Sequence, residues 1–344
     1  MLYGKYFSFY ILSCLFFFKS TAVYGLVDPI TGTFVVGAFV TGYFYNKSNF
    51  TMPNIFPIFG RCPKTYKITE LESAIKKSFF GQHIATKIVL SALEGNLQRS
   101  KSNKKPLVMC FQGWTGSGKN FLTELIASHM FTSEAVRKLR FHVIHGRSDF
   151  IYQSQINVYK EKLYYDVKST IKSCDTNVFV FDETHYIPMG ILDVLIPILE
   201  NNDVSVDSRN SIFIFLTNAG GKAIVTKYLD LWSKGISRES MRIQDFDTIL
   251  QKSAFNEKGG LMKSGLIDSH IVDYYVPFLP LERDHVVKCI EAEFKNLKKY
   301  LDSSTKSEIL EMVSFGPEPE NLFATSGCKR INQFVASQSN SDLV

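Results

Sequence analysis

An α/β fold, with a parallel sheet flanked by helices and a small helical subdomain at the C-terminal end, is predicted by three features of the 344-residue sequence. A Gly-rich octapeptide, Gly113-Trp114-Thr115-Gly116-Ser117-Gly118-Lys119-Asn120, stands between a short apolar run and a helical pattern. Two further runs rich in β-branched and aromatic residues each end abruptly in polar side chains. Helical patterns alternate with these runs, as the crossovers of a parallel sheet require.

The elements follow in chain order. Helical spacing is expected over residues 68–77 and 84–98, and the Lys-rich segment 99–105 reads as a solvated connection into the first core strand, Leu107-Val108-Met109-Cys110-Phe111. Helical spacing resumes at Phe121 and runs to residue 130, so the glycines lie at a strand-to-helix turn. There they let the backbone approach phosphates and turn its N–H groups inward. The helix N-terminus adds positive partial charge, and Lys119 can reach β- and γ-phosphates. Nucleotide binding by residues 113–121 follows from these parts together. Asn120 is the anomaly: Ser or Thr would offer Mg²⁺ a hydroxyl there, whereas an amide serves through its oxygen or a water.

The second run, Val178-Phe179-Val180-Phe181, ends in Asp182 and Glu183 about 60 residues further on. Ligands of open parallel sheets sit at the carboxyl ends of strands, which would bring both acids beside Lys119. Asp182 would hold the water shell of Mg²⁺, and Glu183 would polarise a water attacking the γ-phosphate. The competing reading is a pair of solvated acids opening the next helix. The third run, residues 211–217, delivers Asn218 to the same edge, where its amide can orient that water. Helices are further expected at 189–200 and 283–300, with Pro277 and Pro280 bracketing the junction into the C-terminal part.

The sequences at 113–120, 179–183 and 215–220, with Ser326-Gly327-Cys328-Lys329, resemble the torsins, AAA+ ATPases of the endoplasmic reticulum lumen related to the Clp/Hsp100 unfoldases. Torsins share the Asn in the phosphate loop. Phe80-Gly81-Gln82-His83 and Val276-Pro277-Phe278-Leu279-Pro280-Leu281 match the adenine-side segment and the lead into the small subdomain. The resemblance implies that Lys119 is the Walker A lysine, Asp182 and Glu183 the Walker B acids, Asn218 sensor 1 and Lys329 sensor 2, acting on ATP with Mg²⁺. It also implies a ring-like homo- or hetero-oligomer. Clp-type domains carry an arginine finger before the strand matching 273–280, but residues 266–272 contain no Arg. Torsins meet that lack with membrane-anchored activators whose lumenal domains supply the arginine, and a similar partner is implied here. Arg238 and Arg242 are candidate local substitutes for the finger but read better as exposed helix-surface residues, and residues 141–171 show no aromatic-Gly pore loop.

Residues 1–25 have the order of a secretory signal peptide: Lys5, an apolar stretch, then small and polar residues. Residues 30–45 are apolar and uncharged, suited to lying in one leaflet, with a buried core helix as the alternative. Sequons at Asn46 and Asn49 agree with lumenal exposure. Of six cysteines, Cys14 would leave with the signal. Torsins have cysteines at the places of Cys289 and Cys328 and use them as a redox-sensitive pair; Cys62 and Cys174 would form a second bridge and Cys110 a buried free thiol. Pairing itself is not legible in sequence, and two unrelated thiols are the alternative.

Composition fits this organisation: 26–65 a membrane-associated stretch, 66–279 the large nucleotide-binding subdomain, and 280–344 the small helical one, with a disordered end. An apolar content of 45% supports a sizeable core, and the formal charge of +6 is mildly basic. No zinc spacing, RNP pattern or basic-aromatic stripe points to nucleic acid. Two functions remain open: a partner-activated ATPase remodelling protein or membrane assemblies, or a nucleotide-gated scaffold with incidental hydrolysis.

Overall fold

The structure, a computed structural model, describes residues 68–131 and 133–339. The signal sequence, the 30–45 segment, Asn46, Asn49, Cys62 and the last five residues lie outside them. Among the described residues no helix is long and apolar enough to cross a membrane.

Five strands form one parallel sheet: β1 (Leu107–Gly113), β2 (Phe141–His145), β3 (Val178–Asp182), β4 (Ile212–Thr217) and β5 (Tyr274–Phe278), in the order β2-β3-β4-β1-β5. Helices α1 (Ile68–Ser78), α2 (His83–Gln98) and α3 (Lys119–Met130) cover one face, where Met109, Phe111, Val180 and Ile214 are buried with Leu71, Val89 and Ile126. After α4 (Glu134–Arg140), the opposite face meets α5 (Ile156–Ser173) and the turn segment that ends in α6 (Ile196–Leu199). Alternate residues of each strand serve the two layers, so β1 and β4 are buried along their whole length. On the α5 side Phe179 stacks on Phe213 and Phe181 on Phe215, with ring centroids 4.9 and 5.0 Å apart.

Helices α7 (Gly221–Ser233), α8 (Asp247–Asn256) and the single turn α9 (Gly265–Asp268) complete the sheet-bearing part. Beyond β5, α10 (Arg283–Asn296), α11 (Ser303–Glu311), the short hairpin β6 (Phe315–Gly316) with β7 (Phe323–Ala324), and α12 (Ile331–Ser339) enclose their own core of Val286, Ile290, Phe294, Ile309 and Val335.

Two expected elements differ. The helix over 189–200 is a 3₁₀ stretch, Leu192–Leu195, followed by the single turn α6; Pro197 at its N-terminal positions and Asn201, with φ of 57°, bound it. The helix over 283–300 stops at Asn296, where Lys298 enters the left-handed region with φ of 53° and its neighbour Lys299 donates back to Phe294 O. Arg238 is not exposed: it opens a short 3₁₀ helix, Arg238–Ser240, and faces inward. Its buried guanidinium donates to Gly81 O and, at 2.9 Å, to Pro280 O, while Arg242 is exposed.

Candidate functional site

β1, β3 and β4 end at one edge of the sheet, and a cavity of about 670 Å³ opens there between the sheet and the C-terminal helices. Thr115 to Phe121, Asp182, Glu183, Asn218 and Lys329 all line it. Buried apolar strands drive this convergence, because once the three hydrophobic runs lie side by side their polar successors must emerge together. Of the phosphate-loop residues singled out in the sequence, Gly113 and Trp114 are not among those that line the cavity.

The phosphate loop is fixed from several directions. Gln82, 2% exposed, donates to Ser117 O at 3.0 Å and to Leu279 O at 2.7 Å, and accepts from Leu279 N at 2.9 Å. One carboxamide therefore ties the loop to the exit of β5. On the other side the Trp114 indole donates to Thr325 O at 2.9 Å and Cys328 N to Gly116 O at 3.4 Å. Gly116 has φ of 72° and lies so close to Ser326 that a Cβ would stand 1.8 Å from its carbonyl oxygen. Only glycine fits there.

Lys119 opens α3 and is 7% exposed. Its ammonium donates to Gly113 O at 2.7 Å, Trp114 O at 3.0 Å and Asn218 Oδ1 at 2.9 Å. Burial lowers its pKa to about 8, opposed by the Asp182 carboxylate and reinforced by Lys329. Asn120 donates from Nδ2 to Asp182 Oδ2 at 2.6 Å, while Asp182 Oδ1 accepts from Glu183 N at 2.8 Å. The residue types fit a hard divalent cation, since the Asp182 carboxylate and the Asn120 amide both line the cavity. The inward N–H groups at the start of α3 and the ammonium likewise fit a polyphosphate. Glu183 has φ of 52°, which turns its side chain to Arg147 Nε at 3.3 Å; Arg147 in turn lies over the Tyr186 ring, 4.2 Å from its centroid.

Lys329 is exposed at the cavity wall, beside Cys328. Cys289 of α10 and Cys328 are joined in a disulfide, and both line the cavity. Cys174 is also disulfide-bonded, while Cys62 lies outside the described residues. Cys110 is a buried free thiol, its pKa pushed up to about 12 by burial. Phe79, Phe80, Leu281, Ala292 and Ile331 add apolar lining of the kind a base would require.

His185 and Arg147 were not singled out from the sequence, and Arg238 was expected on an exposed surface instead of in its buried place. A His two positions past the paired acids was the one available signal for the first, and neither arginine lies in a recognisable pattern.

A family model described as Torsin matches residues 57–181, and one described as Torsin-1A, C-terminal domain, matches residues 281–336. The chain is 33% identical over 321 residues to a Torsin-like protein of Drosophila melanogaster, covering 90% of this chain and 92% of the relative. It is 34% identical over 280 residues to Torsin-3A of Mus musculus, covering 80% and 72%. Among solved structures, the S. cerevisiae Hsp104–ADP complex superposes with a TM-score of 0.58 at 16% identity, over 80% of this chain. The chain spans 47% of that Hsp104 chain, and the likeness carries the AAA+ fold. This chain belongs to the torsin family of AAA+ ATPases.

Proposed function

We propose that the chain binds ATP with Mg²⁺ in the 670 Å³ cavity, hydrolyses it slowly alone, and is activated by a membrane-anchored partner that supplies an arginine. The observation that carries this reading is the meeting of Lys119, Asn218, Asp182 and Glu183 at one end of the cavity, with Lys119 2.9 Å from Asn218. Lys119 would grip the β- and γ-phosphates, Asp182 and Asn120 would hold Mg²⁺, Glu183 would polarise the attacking water, Asn218 would orient it, and Lys329 would reach the phosphates from the C-terminal helices. Mg²⁺ supplies charge neutralisation across the phosphates when bound.

The large nucleotide-binding subdomain spans 66–279 and the lid 280–344. The signal-like 1–25 and the sequons at Asn46 and Asn49 support the lumen of the endoplasmic reticulum, with nuclear envelope lumen as its continuation; the apolar 30–45 segment supports membrane association. ATP turnover would serve remodelling of a protein or membrane assembly by an oligomer. A nucleotide-gated scaffold is the second reading, favoured by the Arg147 contact that engages Glu183 at 3.3 Å.

Glu183→Gln separates the two. As an ATPase, the variant traps ATP and the partner complex while turnover falls by orders of magnitude. A variant with unchanged turnover removes the catalytic role. Calorimetry without heat from adenine nucleotides and Mg²⁺ removes nucleotide binding altogether.

A further inference from the structure

His185 has no part in the roles assigned above, yet its imidazole lines the cavity on the turn after Glu183. Two contacts prolong the β3–β4 pairing beyond its last partners, Phe181 and Phe215. Thr184 Oγ1 donates to Leu216 O at 3.2 Å, and one residue further out Asn218 Nδ2 stands 3.5 Å from His185 Nε2. The turn is held in place from two other sides. Gly260 N donates to Thr184 O at 2.9 Å, and the Tyr186 ring packs on the imidazole with centroids 4.4 Å apart.

Donor and acceptor chemistry then fixes the protons. A lysine ammonium only donates, so the Asn218 atom 2.9 Å from Lys119 is Oδ1, and Nδ2 faces His185. An amide N–H needs an acceptor. Nε2 therefore carries the lone pair, and the imidazole is neutral with its proton on Nδ1, a buried atom that has no hydrogen-bond partner among the described residues. Burial keeps the imidazole below its ordinary pKa, against the pull of Glu183 and with help from Lys119 and Arg147.

We propose that His185 is a positioning residue for Asn218. The inference rests on the role given to Asn218 above. In the free site the carboxamide is held from both ends, by Lys119 at Oδ1 and by His185 at Nδ2. A bound triphosphate draws Lys119 away, and His185 is then the remaining side-chain partner among the described residues. Its lone pair keeps Nδ2 turned outward and Oδ1 turned into the cavity, where an oxygen can accept from the attacking water. Half a turn of the amide would present N–H groups to that water instead.

The test reads the proton directly. In ¹⁵N-histidine-labelled protein, long-range ¹H–¹⁵N correlation should find His185 as the Nδ1–H tautomer, both free and with Mg-ADP. Asn218→Leu should return it to the commoner Nε2–H form. An Nε2–H or charged His185 in the wild type, or no change in Asn218→Leu, overturns the proposal. In single turnover His185→Phe, which keeps the stack on Tyr186, should lose about tenfold in rate while ADP affinity stays within about twofold. His185→Gln, whose carbonyl can accept from the same amide, should keep the wild-type rate. Full turnover in His185→Phe would equally sink the idea. A chain that bound no ATP would remove the ATPase reading and leave the tautomer result standing.

Discussion

Gly116 and Gly327 lie backbone against backbone: a Cβ on Gly327 would stand 2.1 Å from the Gly116 carbonyl oxygen. This contact joins the phosphate loop to the segment that carries Cys328 and Lys329. Gly327 also has φ of 53°, so an alanine there meets both a clash and backbone strain. Gly327→Ala should cost about 2 kcal/mol of stability and at least about tenfold in nucleotide affinity. Thermal melting and calorimetry check both, and a variant that binds like the wild type would show that the contact is passive.

Lys119 gives the site a pH dependence with a definite sign. Its pKa of about 8 in the free protein would rise again against bound phosphates. Nucleotide affinity should be flat below pH 8 and fall as pH climbs through it, by up to about tenfold per unit. The stability of the free protein should run the other way. The unfolded lysine keeps its proton to about 10.5, so between pH 8 and 10.5 unfolding takes up a proton and this group's contribution rises with pH. Titrations from pH 7 to 10 on wild type and Lys119→Met check this, and identical profiles would remove the assignment.

The Cys289–Cys328 disulfide spans the cavity wall, and Cys328 N donates to the phosphate loop at Gly116 O. Reduction should therefore shift nucleotide affinity several-fold, and Cys328→Ser should abolish that sensitivity. Matching titrations with and without reductant would disconnect the disulfide from the ligand.

Arg238 anchors the junction before α10. Its side chain is 4% exposed, and its guanidinium meets Gly81 O, Pro280 O and the Glu282 carboxylate. Arg238→Met should cost about 3 kcal/mol, because two carbonyls and a carboxylate lose their donor together. Lysine should not rescue it, since a point charge cannot serve the fork. Denaturant unfolding measures the loss, and an unchanged midpoint would contradict the anchoring role.

Much of this architecture is legible in the residues because buried parallel strands are long apolar runs. β1, β3 and β4 announced themselves, and with them the edge where Lys119, Asp182 and Asn218 meet. β2 did not. As an edge strand, Phe141–His145 is half-exposed and carries two histidines, so its pattern resembles a loop. Helix α5 was equally silent, since Leu163, Val167 and Ile171 form a narrow stripe among charged residues. Arg238 shows the deeper limit. Its partners are backbone carbonyls distant in sequence, Gly81 O and Pro280 O, and no side-chain pattern records them. The Gly116 contact with Gly327 is of the same kind.

Trp114 bonded to Thr325, and Gly116 pressed on Gly327, staple roof to floor along one flank of the cavity. While both contacts persist, the phosphate loop and the strip that carries Lys329 move as one piece, so whatever displaces one displaces the other.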